Sequence, residues 1–131
     1  MNTKKSITIA FFALLTIIAV SCKKDKNKTE LLTKAPWKLT NLILTDGTDY
    51  TEDCHKDNSI TFRTDGTGSI NIGTNICEEG TSLEEENLTI NWLFNSDETF
   101  FTIDGEVFEI ATLDANNLVL KDSFGTQKYK H

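Results

Sequence analysis

The chain has 131 residues, of which 13 are basic and 20 acidic, for a net charge of −7. That balance argues against nucleic acid as a partner, because affinity there comes from neutralising phosphates. The length allows one domain with a modest core.

The N-terminus reads as an export signal. Lys4 and Lys5 make a positive start, and Ile7 to Val20 is apolar apart from Thr8 and Thr16. Such a run suits the apolar region of a signal peptide and falls short of a comfortable bilayer span. Ala19-Val20-Ser21-Cys22 resembles a lipobox, with Ala19 where the usual pattern has Leu. The resemblance implies that residues 1–21 are removed and that Cys22 carries lipid. Two or more acyl chains there would anchor the chain stably to a membrane. Lys23 follows the cysteine in place of the Asp that retains enteric lipoproteins at the inner membrane, which favours the outer membrane. From Cys22 onward 11 basic residues face 20 acidic ones, a net charge of −9. Residues 22–30 read as the lipidated Cys and a lysine-rich tether, and residues 31–131 as the domain.

Glu30 to Lys34 suggests one helical turn, which Pro36 stops. After Trp37 the pattern becomes strands. Expected strands cover residues 38–44, 59–63, 69–72, 88–94, 99–103, 107–113, 118–121 and 127–130. Asp46-Gly47, Asp65-Gly66 and Asp104-Gly105 mark turns between them, and residues 64–67 turn the second strand into the third. About eight short strands at regular spacing predict an all-β domain, a small antiparallel up-and-down barrel. Closure would remove exposed strand edges. A two-sheet sandwich gives much the same signals and stays open as the alternative.

Cys54 and Cys77 remain once Cys22 is assigned to the anchor. In an oxidising compartment they suit a disulfide across the open end of the 59–72 hairpin. Two free thiols or a metal pair are the alternatives. His55 invites the metal reading, but a convincing set of four ligands is missing. Catalytic, cofactor and metal residues are therefore expected to be none. The two histidines, His55 and His131, read as solvated, so no nucleophile–base pair stands out. Glu78, Glu79 and Glu84-Glu85-Glu86 read as a solvated acidic loop, without the spacing of a calcium-binding loop. Trp37, Phe62, Trp92, Phe94, Phe101 and Phe108 fall on faces expected to point inward. They would either line a site for an apolar ligand or fill the core. Eight strands leave an interior just wide enough for side chains, which favours a filled or shallow interior.

Several short motifs occur in a telling order. Trp37-Lys38-Leu39 comes first, then Asp53-Cys54-His55-Lys56-Asp57-Asn58, then Ile60-Thr61-Phe62 with Asp65-Gly66-Thr67-Gly68. Cys77, Ile90-Asn91-Trp92, Ile103-Asp104-Gly105, Phe108-Glu109-Ile110 and Leu118-Val119-Leu120-Lys121 follow. This order resembles the lipocalin-like domain of small lipoproteins from Gram-negative bacteria, over residues 31–130. The resemblance implies an up-and-down barrel of about eight strands. Lipocalins carry Gly-x-Trp on the first strand, and here Ala35-Pro36-Trp37 takes that place. A basic residue, Lys128 or Lys130, is then expected over the Trp37 ring.

The expected function is that of a non-catalytic cell-envelope lipoprotein, anchored to the membrane and binding a small apolar ligand. The alternative is an accessory module that docks on another envelope protein through its loops.

Overall fold

The computed structural model describes residues 27–75, 77 and 87–131. The expected signal peptide, the lipidated Cys22 and the acidic residues 78–86 lie outside the described residues. Helix α1 (Lys28–Thr33) opens the described chain, capped by the Asn27 side chain, which accepts from the Thr29 N–H at 2.9 Å. The helix therefore begins inside the span assigned to the tether. A polar Asn followed by residues that can turn toward an apolar pair, Leu31-Leu32, is an ordinary helix start.

Eight strands follow: β1 (Trp37–Leu44), β2 (Ser59–Phe62), β3 (Thr67–Asn71), β4 (Asn87–Phe94), β5 (Phe100–Ile103), β6 (Glu106–Leu113), β7 (Asn117–Lys121) and β8 (Gly125–Lys130). Each pairs antiparallel with the next, and β8 pairs with β1, so the sheet closes into a barrel. The sandwich alternative is excluded by that closure. One-residue irregularities in β1 (between Leu39 and Asn41) and β6 (between Ile110 and Thr112) help the sheet curve.

The seam between β1 and β8 runs from Lys38–Lys130 to Leu44–Gly125. Gly125 is required there, since a Cβ would sit 2.0 Å from the Ile43 carbonyl oxygen. β1 meets β2 only at Trp37–Ile60 and Lys38–Ser59. Beyond that, the upper half of β1 leaves β2 and pairs instead with the returning segment at residues 48–50. The Leu44 N–H donates to the Thr48 carbonyl at 2.9 Å, and the Tyr50 N–H to the Leu42 carbonyl at 2.8 Å.

The two ends of the barrel differ as a result. One end, called lower here, carries α1, the start of β1, the end of β8 and the short turns β2–β3, β4–β5 and β6–β7. The upper end carries the long β1–β2 and β3–β4 connections and the tight β5–β6 turn. That turn is Asp104-Gly105, with φ of +49° and +89°. Two positive values in a two-residue hairpin mark the turn whose twist matches the strands, and they account for the Asp-Gly pair.

Among the described residues Leu32, Trp37, Ile60, Phe62, Ile90, Trp92, Phe101, Phe108, Leu118 and Leu120 form one buried cluster. A span with its own closed sheet and core has what an independently folding domain needs.

Aspartates hold several turns. Asp46 accepts from the Thr48 N–H, Asp65 from the Thr67 N–H and hydroxyl, and Asp114 from the Asn116 and Asn117 N–H groups. These bonds favour the ionised form and hold all three carboxyls below their ordinary 3.8. The main cause is the Thr48 backbone at Asp46, the Thr67 hydroxyl at Asp65 and the Asn116 backbone at Asp114. A carboxyl depressed on folding stabilises the fold above its unfolded value, and that contribution is lost as pH falls through the folded one. Urea midpoints should therefore fall as pH drops through the unfolded value of 3.8 and below. Asp65→Asn, which keeps the turn but cannot ionise, should flatten that slope. An unchanged slope would show that the turn carboxylate contributes nothing.

Candidate functional site

The strand alternation and the strand directions together divide the interior into layers. β2 and β4 run downward and carry Ile60 then Phe62, and Ile90 then Trp92. β5 runs upward and carries Phe101 then Ile103. On all three strands the isoleucine lies on the upper side and the aromatic ring below it.

The lower layer is filled. Phe62 meets Trp92 edge-on with centroids 5.8 Å apart and Phe101 at 5.7 Å, and Trp92 meets Phe94 edge-on at 5.4 Å. Phe101 also contacts Phe94 and Phe108, at 5.9 and 6.0 Å. These separations suit favourable aromatic pairing. The Trp92 Nε1–H donates to the Thr67 and Arg63 carbonyls at 2.9 and 3.1 Å, so its polar edge is satisfied.

Below this layer α1 closes the end. Leu32 is fully buried, and its carbonyl accepts from the Trp37 Nε1–H at 2.9 Å. Trp37 is also fully buried. Its ring is covered by the His131 imidazole, stacked at 3.7 Å, and neither Lys128 nor Lys130 takes that place. The reason is register. Lys130 pairs with Lys38, whose side chain points outward, so the ring reaching Trp37 comes from the residue after the strand. His131 Nδ1 lies 3.1 Å from the Pro36 carbonyl, which can only accept, so this nitrogen carries the proton.

Above the aromatic layer lies a cavity of about 340 Å³. Ile60, Ile70, Ile90 and Ile103 line it, with Phe108 and Tyr129. It falls in the range of small-molecule pockets, at the small end. The interior is thus filled below and hollow above, a shallow cup. Of the six aromatic residues singled out from sequence, Phe108 alone lines the cup; Trp37, Phe62, Trp92 and Phe101 are buried core, and Phe94 packs against it. The isoleucines are the residues that sequence reasoning missed as cavity lining. For Ile60, Ile90 and Ile103 the signal was present in the spacing of two from an aromatic, read with strand direction; Ile70 has no such neighbour.

Polar groups in the cup are few. The Tyr129 hydroxyl donates to Gln127 Oε1 at 2.6 Å. Burial pushes the Tyr129 phenol above its ordinary range, with the Asp122 charge adding to it, so it stays neutral. Asp104 and Glu106 stand at the mouth.

At the upper end a disulfide joins Cys54 to Cys77, with Cα atoms 5.2 Å apart. It ties the two long connections together. Asp57 reinforces the tie by accepting from the Thr74 and Asn75 N–H groups, both at 3.0 Å. Cys54, His55 and Cys77 lie within 4.8 Å of one another, but both sulfurs are spent in the disulfide. His55 is not a free solvated ring, because its Nδ1 accepts from the Glu52 N–H at 3.0 Å in a cap on the short turn Asp53–His55. Replacing both Cys54 and Cys77 with Ser should lower stability by about 3 kcal/mol, the loop-closure value for a separation of 23 residues. Denaturant midpoints of the variant and the parent would measure it, and a loss under about 1 kcal/mol would show that the Asp57 ties suffice.

A second, smaller hollow of about 190 Å³ lies beside the mouth, where β1 has left β2. Leu44, Tyr50 and Phe124 flank it and are exposed, Phe124 by 78%. Gln127 borders both hollows.

A family model described as a lipocalin-like domain matches residues 34–120. Among solved structures, the chain is similar to a DUF4847 family protein from Bacteroides vulgatus. The TM-score is 0.57 at 12% identity, covering 80% of this chain and 97% of that one. At that identity the likeness speaks to fold alone. No curated protein matches the chain by sequence.

Proposed function

The chain belongs to the lipocalin-like domain family, and from that premise we propose that it is a non-catalytic cell-envelope lipoprotein that holds a small apolar ligand in the cup at the upper end of its barrel. The observation that carries this reading is the isoleucine-lined cavity above a solid aromatic floor. Its volume corresponds to roughly eleven waters at ~30 Å³ each. An apolar wall gains little from holding those waters, so an apolar ligand that displaces them is favoured.

The envelope address rests on the signal-like N-terminus and on the lipobox resemblance at Cys22. The described chain enters the barrel through α1, at the closed end. An anchor at Cys22 would therefore sit nearer the closed end than the mouth, and the cup would face away from the membrane.

Residues 27–131 titrated with a neutral apolar fluorophore should show saturable binding of one equivalent. Ile70→Trp, which places a large side chain in the cup, should weaken binding at least tenfold. Binding that survives this substitution unchanged would place the ligand elsewhere and overturn the reading. Separately, a radiolabelled fatty acid fed to cells making the full chain should label it, and Cys22→Ser should abolish the label. A chain labelled equally after that change would refute the anchor.

The exposed apolar groove at Leu44, Tyr50 and Phe124 favours a second reading, docking on an envelope protein through the rim. Large exposed apolar side chains grouped at one edge are a common mark of a contact site. Crosslinking in cells should then recover one dominant partner that is lost on Phe124→Ser. Recovery of none, or of the same partner from the variant, would count against it.

A further inference from the structure

We infer that the ligand of this cup is an amphiphile with a cationic head, its tail in the isoleucine layer and its head between Asp104 and Glu106. The inference rests on the cavity reading above and adds the charge class of the occupant.

The cup has one polar edge. Asp104 is the first residue of the two-residue β5–β6 turn and Glu106 the first residue of β6, and both belong to the cavity wall. Asp104 is held by two hydrogen bonds to Asn91. The Asn91 N–H donates to its Oδ1 at 2.8 Å, and its own N–H donates to the Asn91 carbonyl at 2.8 Å. One carboxylate oxygen is thus committed to β4, in a residue that also lines the cavity. Glu106 is paired with Ile103, a residue of the isoleucine layer, so the second carboxylate rises from the edge of the same wall.

Among the described residues that line the cavity none is basic. The one ion pair found among the described residues, Lys56–Asp53, lies on the short turn after Glu52 and leaves both mouth carboxylates untouched. A tail entering the cup from the open end leaves its head at this edge. An ammonium there meets two carboxylates, whereas a fatty-acid carboxylate meets two like charges. The remaining polar pair, Tyr129 and Gln127, is neutral and already hydrogen-bonded, so it supplies no cation for an anionic head.

Both carboxylates are exposed, so the discrimination is moderate and is screened by salt. The expected ratio is about tenfold between cationic and anionic amphiphiles of the same tail, at low ionic strength.

Isothermal titration calorimetry of residues 27–131 with decyltrimethylammonium and with decanoate tests this, both probes kept below their micellar concentrations. The ammonium should bind about tenfold more tightly, and added sodium chloride should shrink the gap. The double variant Asp104→Asn, Glu106→Gln should bring the two affinities within about threefold. Asn tolerates the positive φ at position 104 and can still accept from Asn91. An unchanged melting temperature would verify that the variant is folded. Equal affinities in the parent, tighter decanoate, or a gap that persists in the double variant would each overturn the charge assignment while leaving the cavity reading intact. If neither probe binds, the cavity reading itself fails and takes this inference with it.

Discussion

Trp37→Ala should destabilise the domain by about 3–5 kcal/mol, the range for removing a large buried aromatic. Three effects combine at this position. The side chain is fully buried between α1 and the barrel, so its removal leaves a void at the closed end. Its Nε1–H is the donor to the Leu32 carbonyl, which would lose that partner. The His131 ring stacked on it would lose its platform. Trp37→Phe separates the contributions. It restores most of the volume and drops the hydrogen bond, so it should cost about 1–3 kcal/mol, the penalty for an unsatisfied buried group. Chemical denaturation monitored by circular dichroism reads both. A loss below about 1 kcal/mol for the alanine variant would mean that α1 does not close the barrel in solution.

Phe101→Ala should have a similar cost, about 3–5 kcal/mol, and a second consequence that Trp37→Ala lacks. Phe101 is the central ring of the floor and contacts Phe62, Phe94 and Phe108. Phe108 in turn lines the cup. Removing Phe101 takes material from directly beneath the cavity, so the cup should deepen into the vacated space. The variant should be less stable when empty and accept longer apolar ligands than the parent does. Saturating ligand should restore part of the lost stability, because binding to the folded state alone raises its apparent stability. Melting curves across a series of alkyl chain lengths would show the optimum move to longer chains. An optimum that stays in place would mean that the floor collapses rather than opens.

The two variants probe different ends of one design. Trp37 seals the barrel where α1 enters, and Phe101 sets how deep the opposite opening runs. Substitutions at the mouth should behave differently. Asp104 and Glu106 are exposed, and changing them should alter which ligand binds while leaving stability nearly unchanged.

Much of this architecture was legible in the residues. The alternation in Ser59-Ile60-Thr61-Phe62 gave β2, and Leu88 to Phe94 gave β4, with strand ends within two residues of those observed. Asp-Gly turn pairs marked the hairpins, since the conformation a tight turn demands is met within the turn itself. With Cys22 set aside, a disulfide between Cys54 and Cys77 was the favoured reading over free thiols or a metal pair, and the bond is present. The inward-facing set was also correctly chosen as apolar, but its division of labour was not. Ligand contact and core were both open to the aromatic rings, with a filled or shallow interior favoured; they are the packed floor, Phe108 also touches the space, and the plainer isoleucines line the rest of it.

The local signals, which depend only on neighbours along the chain, determined the strands, their faces and their turns. They also carried the expectation of an anchor at Cys22. Three features were decided only in the folded molecule: β8 returning to β1, His131 rather than a lysine covering Trp37, and the parting of β1 from β2 beside the mouth. Each joins residues distant along the chain or depends on the register between strands, which alternation alone does not encode. The cup has the same origin. It exists because β2, β4 and β5, two running down and one up, all place isoleucine on the same side of an aromatic, and only the closed sheet turns those separate spacings into a layer.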